Sequence, residues 1–208
     1  MLVSDLSFRD IQHHYFLLPL QPEDANIRKI CKDFPGTSKA NVVLLYGYID
    51  HEAGITFELL STGILKGEKV SLYDGNDEWN AKIRCGSIAD HEIYPQEGIS
   101  FNPYQDKVHF IDTDYKVSKE VEALRLATEL DPYRHPLFPD DLAVIFIRKG
   151  SKPEQCWVRC SGITDDGITG ILLNEPITDL GIHRSDEITF GVMEQKDKTL
   201  LPICCLDK

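Results

Sequence analysis

Apolar positions along this chain recur mostly every second residue and switch to helical spacing in only a few stretches. In the opening segment Phe8, Ile11, Tyr15 and Leu18 share one helical face, and Pro19 closes it. The first clear helix begins at Pro22, which suits a first turn, with Glu23 and Asp24 at the positive end of the helix dipole. Ile27, Ile30, Cys31 and Phe34 then form one buried stripe, and Pro35-Gly36 stops it. From Val42 the period becomes two. Residues 42–49 and 55–60 flank a polar loop ending at Gly54 and read as a hairpin. Val70 and Leu72 alternate with Lys69 and Ser71. After the turn Asp74-Gly75-Asn76-Asp77, the residues Trp79, Ala81, Ile83 and Cys85 alternate with Asn80, Lys82 and Arg84, giving a strand with one dry and one wet face. Residues 108–111 read as a shorter strand.

A second helix is expected over residues 116–130. Val117, Val121, Leu124 and Ala127 give its stripe, Glu122, Arg125 and Glu129 face water, and Asp114 or Ser118 caps it. Asp131-Pro132 ends it, because a residue before proline avoids the helical region. Strands dominate the remainder. Residues 142–147 form a continuous apolar run, as in a central strand. Cys156, Val158 and Cys160 share one face of the next strand, with Trp157 and Arg159 on the other. Asp165-Asp166-Gly167 is a hairpin turn into residues 168–173. Ile188, Phe190 and Val192 alternate in a further strand, and residues 200–204 close the sheet.

The pattern predicts an α+β fold, mostly antiparallel sheet with about two helices. An α/β portion over residues 1–115 precedes residues 116–208, a helix plus a small sheet or half-open barrel. Segments 47–60 and 162–173 share Gly, Asp and alternating aliphatics, as any two hairpins do.

Composition narrows the function classes. Apolar residues make up 42% of the 208 and charged residues 27%, so the chain can bury a core. The net charge of -12 opposes nucleic-acid phosphates and anionic membranes and favours a basic protein partner. The first residues lack a basic region followed by an apolar run, and no apolar run is long enough to span a bilayer, which points to the cytoplasm. Six cysteines spread through the chain fit reduced thiols there.

Familiar catalytic signatures are missing: there is no Gly-x-Ser-x-Gly elbow, no Walker loop and no Gly-x-Gly-x-x-Gly. His51-Glu52 and His91-Glu92 start like zinc-protease motifs, but Ile55 and Pro95 stand where the second histidine belongs. Cys156 and Cys160 lie about 13 Å apart on a strand, too far to share one zinc. Asp74-Gly75-Asn76-Asp77-Glu78 and Asp112-Thr113-Asp114 do not match a calcium loop. No metal or cofactor is expected.

Two polar segments remain. In Arg134-His135-Pro136-Leu137-Phe138-Pro139-Asp140-Asp141, a proline-held loop offers His135 with Asp140 or Asp141 as an acid–base pair, although no nucleophile stands beside them. The structural alternative has Asp140 or Asp141 bonding loop amides and Arg134 pairing with a carboxylate. In Asn174-Glu175-Pro176, the Asn and Glu side chains suit loop amides and the proline fixes the exit. With Trp157 and Arg159 they make one candidate binding surface, since Trp and Arg often anchor interfaces.

The order Arg134-His135-Pro136, Pro139-Asp140-Asp141, Glu154, Trp157-Val158, Leu172-Leu173-Asn174-Glu175-Pro176, Gly181-Ile182-His183 and Asp186 resembles a small β-rich domain of uncharacterised bacterial proteins, over about residues 131–195. Several such domains occur beside toxin–immunity genes, so the resemblance implies an immunity or adaptor role and brings no catalytic residues with it. The expectation is a binding protein, more an interaction module than an enzyme, neutralising a basic toxin. The competing reading is a hydrolase or metal-dependent enzyme using His135, Asp140 and Asp141.

Overall fold

The computed structural model describes residues 1–75, 80–96, 102–196 and 198–207. The chain divides into two compact units, Met1–Lys116 and Val117–Lys208. Among the described residues no helix is long and apolar enough to cross a membrane.

The first unit is a curled antiparallel sheet. A short helix α1 (Phe8–Ile11) is closed by a capping box, in which Ser7 and Asp10 satisfy each other's amides. The chain then extends into β1 (Tyr15–Pro19), although Phe8, Ile11, Tyr15 and Leu18 stand at the spacing of one helical face. Phe16, Leu17 and Leu18 are all buried, so this segment has two dry faces and no helical stripe. Helix α2 (Ala25–Ile30) keeps Ile27, Cys31 and Phe34 buried and leaves Ile30 exposed. The hairpin β2 (Val42–Asp50) and β3 (Gly54–Lys66) forms the centre, closing at Asp50 opposite Gly54. Strand β1 flanks β2, and β6 (Tyr94–Gln96) flanks β1. The far side of β3 is shared by β4 (Lys69–Leu72) and β5 (Lys82–Arg84). The expected strand from Trp79 to Cys85 reduces to β5, because Cys85 begins a 3-10 turn. Trp79 and residues 76–78 lie outside the described residues.

Residues 108–111 are not a strand. They belong to helix α3 (Gln105–Asp114). Tyr104, Val108, Ile111 and Tyr115 recur at helical spacing and pack with Leu44, Tyr46, Tyr48 and Leu60 of the hairpin. Asp112-Thr113-Asp114 therefore ends a helix. At Gly47 of β2 a side chain has no room, since a Cβ would lie 2.2 Å from the carbonyl oxygen of Ile11.

The second unit begins with helix α4 (Lys119–Leu126), capped by Ser118 through the amide of Val121. It ends earlier than the sequence suggests, and a 3-10 segment over Thr128–Tyr133 accommodates Pro132. Arg125, expected in water, is buried. A two-residue strand β7 (Arg134–His135) turns directly into β8 (Phe138–Ile147), so Pro139-Asp140-Asp141 lies within a strand, not a loop. Strands β9 (Glu154–Thr164), β10 (Gly167–Leu172), β11 (Glu187–Glu194) and β12 (Leu200–Cys205) follow as a meander. Strand β12 then pairs in parallel with β8, which closes a five-strand barrel. A five-strand meander must close this way, because its first and last strands run in the same direction. Closure also removes the open sheet edges that invite aggregation. Cys156, Cys160 and Cys204 lie inside, with Val144, Phe146, Val158 and Phe190. Burial pushes the Cys160 thiol up to about 12, so it stays protonated.

Candidate functional site

Neighbouring residues of a strand point to opposite faces, and this separates Asp140 from Asp141. Asp140 receives a two-pronged bond from Arg125 of α4, Nε to Oδ1 at 2.8 Å and Nη2 to Oδ2 at 2.7 Å. Both side chains are almost fully buried. Asp141 faces the other way and takes Arg159 of β9 in the same fashion, at 2.8 and 3.2 Å. Register places these two residues directly opposite. Arg134 donates to Asp131 at 2.9 Å, to the carbonyl of Pro139 at 2.7 Å, and to those of Leu124 and Ala127. It thus ties off the carbonyls that helix α4 leaves open at its end.

His135 takes part in neither carboxylate pair. Its Nδ1 accepts the amide N–H of Leu137 at 3.1 Å. The ring stands edge-on to Phe138 and Trp157, with centroids 5.0 and 5.2 Å away. Arg134, Asp140, Asp141 and Arg159 therefore brace the barrel, and His135 with Trp157 forms a half-buried aromatic patch on its outer wall.

The Asn174-Glu175-Pro176 segment opens a long loop between β10 and β11. Asn174 Oδ1 accepts the Trp157 amide at 2.7 Å. Glu175 reaches across the loop to the Arg184 amide, 2.8 Å from Oε2, and to His183 Nδ1, 2.8 Å from Oε1. Asp186 accepts the His183 amide at 2.7 Å. Glu154, at the start of β9, accepts the amides of Ile177 and Thr178, both at 2.7 Å. Leu180 plugs the loop into the barrel core. At the tip, Ile177 is 97% exposed. Sequence reasoning missed Ile177, and named Glu154 only among the residues that carry the resemblance, without a role. The available signal was an isoleucine directly after a proline and between polar neighbours, Glu175 and Thr178.

Charge follows these bonds. The Ile177 and Thr178 amides hold the Glu154 carboxyl below its usual range. The Arg184 amide, then His183, does the same for Glu175. His183 is raised by its bond to Glu175. The carboxylate's contribution is present above its ordinary value and is lost as pH falls through the lowered one. The imidazolium's contribution is complete below its ordinary value of about 6.5 and is lost as pH rises through the raised one. The bridge is thus complete from weakly acidic to near-neutral pH. A proton-NMR titration of His183 is expected to show a midpoint above about 6.5, returning toward it in Glu175→Gln. An unshifted wild-type midpoint would show that the bridge does not form in solution.

The first unit holds two further clusters. His13, held at a left-handed φ of 63°, places Nδ1 3.0 Å from Asp112 Oδ1 and 3.2 Å from the Tyr46 hydroxyl. Tyr46 donates to both oxygens of Asp112. Burial raises the Asp112 carboxyl, but the bonds from His13 and Tyr46 outweigh it and hold the group below its usual value. The cluster joins the approach to β1, strand β2 and helix α3. The second cluster lines a surface cavity of about 340 Å³ that includes Pro19, Asp24, Asp90, His91 and Tyr94. Asp24 accepts the Gln21 amide at 2.7 Å and bonds His91 Nε2 at 3.0 Å. No serine, cysteine or lysine lines it among the described residues.

No family model matches the chain, and neither the curated proteins nor the solved structures contain a match to it.

Proposed function

We propose that this chain is a non-enzymatic, cytoplasmic binding protein that engages a basic protein partner. One observation carries the reading: the charged residues that looked catalytic are engaged in internal bonds, and the charge left outside is acidic. Arg125, Arg134 and Arg159 all face carboxylates of their own barrel unit. Each unit is acidic in its own right, with 18 Asp and Glu against 11 Lys and Arg in residues 1–116 and 16 against 11 in residues 117–208. Fields of one sign over a surface speed the encounter with an oppositely charged partner and repel nucleic acid. The resemblance of residues 131–195 extends this proposal to an immunity or adaptor role, in which the partner is a basic toxin.

Native mass spectrometry of the full chain purified from its host tests the reading. The expected result is a stoichiometric complex with a protein of positive net charge, dissociating as salt is raised. A bound metal ion or small ligand in place of a protein would overturn it.

A further inference from the structure

We infer that Ile177 is the anchor of a protein-docking site, and that its partner presents an apolar socket rimmed by lysine or arginine. The inference rests on the binding reading above and assigns it a place. A single exposed isoleucine is ordinary. What sets this one apart is the framework beneath it. Glu154 holds the Ile177 and Thr178 amides from one side. Glu175, reaching Arg184 and His183, ties the two limbs of the loop together. Asn174 fixes the entry on β9, and Leu180 fixes the middle in the core. These bonds restrict a loop that would otherwise lose conformational freedom on binding, which is how preorganisation raises affinity. They do so around a β-branched side chain, stiff at χ1, that reaches the solvent almost entirely uncovered.

The charge around the tip selects the occupant. The loop and the strand residue that supports it carry Glu154, Glu175, Asp179 and Asp186, against Arg184, Arg148 at 3.8 Å from Asp179, and the His183 already bonded to Glu175. A second copy of this chain would bring a net charge of -12 against the same sign. A nucleic acid or an anionic membrane meets the same repulsion. A protein socket with an apolar floor and a cationic rim satisfies both the isoleucine and its carboxylates. Burying one isoleucine side chain accounts for about 10- to 100-fold in affinity.

The test places a photo-crosslinker in the full chain, Ile177→p-benzoylphenylalanine, with Ile163→p-benzoylphenylalanine as an exposed control at the end of β9. Irradiation in the host is expected to join position 177, and not position 163, to a basic protein. That protein, purified, is expected to bind Ile177→Asp at least about 30-fold more weakly than wild type and Ile163→Asp within about threefold. Equal binding by wild type and Ile177→Asp would overturn the docking site while leaving the binding reading intact. Recovery of no basic protein by the wild-type chain would overturn both.

Discussion

Arg125→Met is expected to destabilise the barrel unit by about 3–5 kcal/mol, the usual cost of stranding one member of a buried ion pair. Methionine fills much of the same space, so the loss is electrostatic. Asp140, 2% exposed at its side chain, loses both prongs of the guanidinium. Pairing the change with Asp140→Leu is expected to regain most of the loss, because an apolar pair of similar volume avoids the desolvation that the ions require. Urea unfolding of the full chain, with hydrogen exchange resolved to residues 117–208, checks both. A single variant within 1 kcal/mol of wild type would mean that Asp140 is hydrated and that α4 is not clamped to β8.

Arg125 also shows where the sequence stops being legible. It lies four residues after Val121 and so on the same helical face, but its charge made it read as solvent-facing, and periodicity has no means of naming Asp140 as its partner. A charged residue that is buried because it is paired breaks the apolar stripe by which a helix is recognised. Helix α3 was misread for the same reason. Lys107 lies on its dry face, leaving Val108 and Ile111 as a fragment too short to declare a helical period. Alternation and turn chemistry, by contrast, act between near neighbours. The hairpin at Asp50–Gly54, the turn at Asp165–Gly167 and the inward set Cys156, Val158 and Cys160 all follow from them. Closure of the barrel depends on β8 meeting β12 across more than fifty residues, which no local pattern encodes.

The polar segments divide along the same line. Residue types marked Arg134, Asp140, Asp141, Asn174 and Glu175 as positions with bonds to make. Whether those bonds go to a substrate or to the chain itself depends on which face each strand residue presents. Asp140 and Asp141, adjacent in sequence, meet different arginines from opposite sides. Ile177 carries the reverse lesson. An isoleucine in a loop reads as incidental, and only the bonds from Glu154 and Glu175 make it a presented side chain.

Lys107→Met and Glu58→Gln are each expected to destabilise the first unit by about 3–5 kcal/mol. Lys107 Nζ lies 3.0 Å from Glu58 Oε1, with side chains 4% and 1% exposed. The same oxygen also accepts the Ala81 amide. Lys107→Met takes the ammonium from beside a carboxylate in the interior of the sheet and leaves it the amide of Ala81. Glu58→Gln takes the carboxylate from beside the buried ammonium and keeps an oxygen for that amide. Combining Lys107→Met with Glu58→Leu is expected to restore much of the stability, because an apolar pair avoids the desolvation that the ions require. Urea midpoints of the full chain, with hydrogen exchange resolved to residues 1–116, read all three variants. A double variant less stable than either single variant would sink the argument, because independent losses of packing add and the two halves of one ion pair do not.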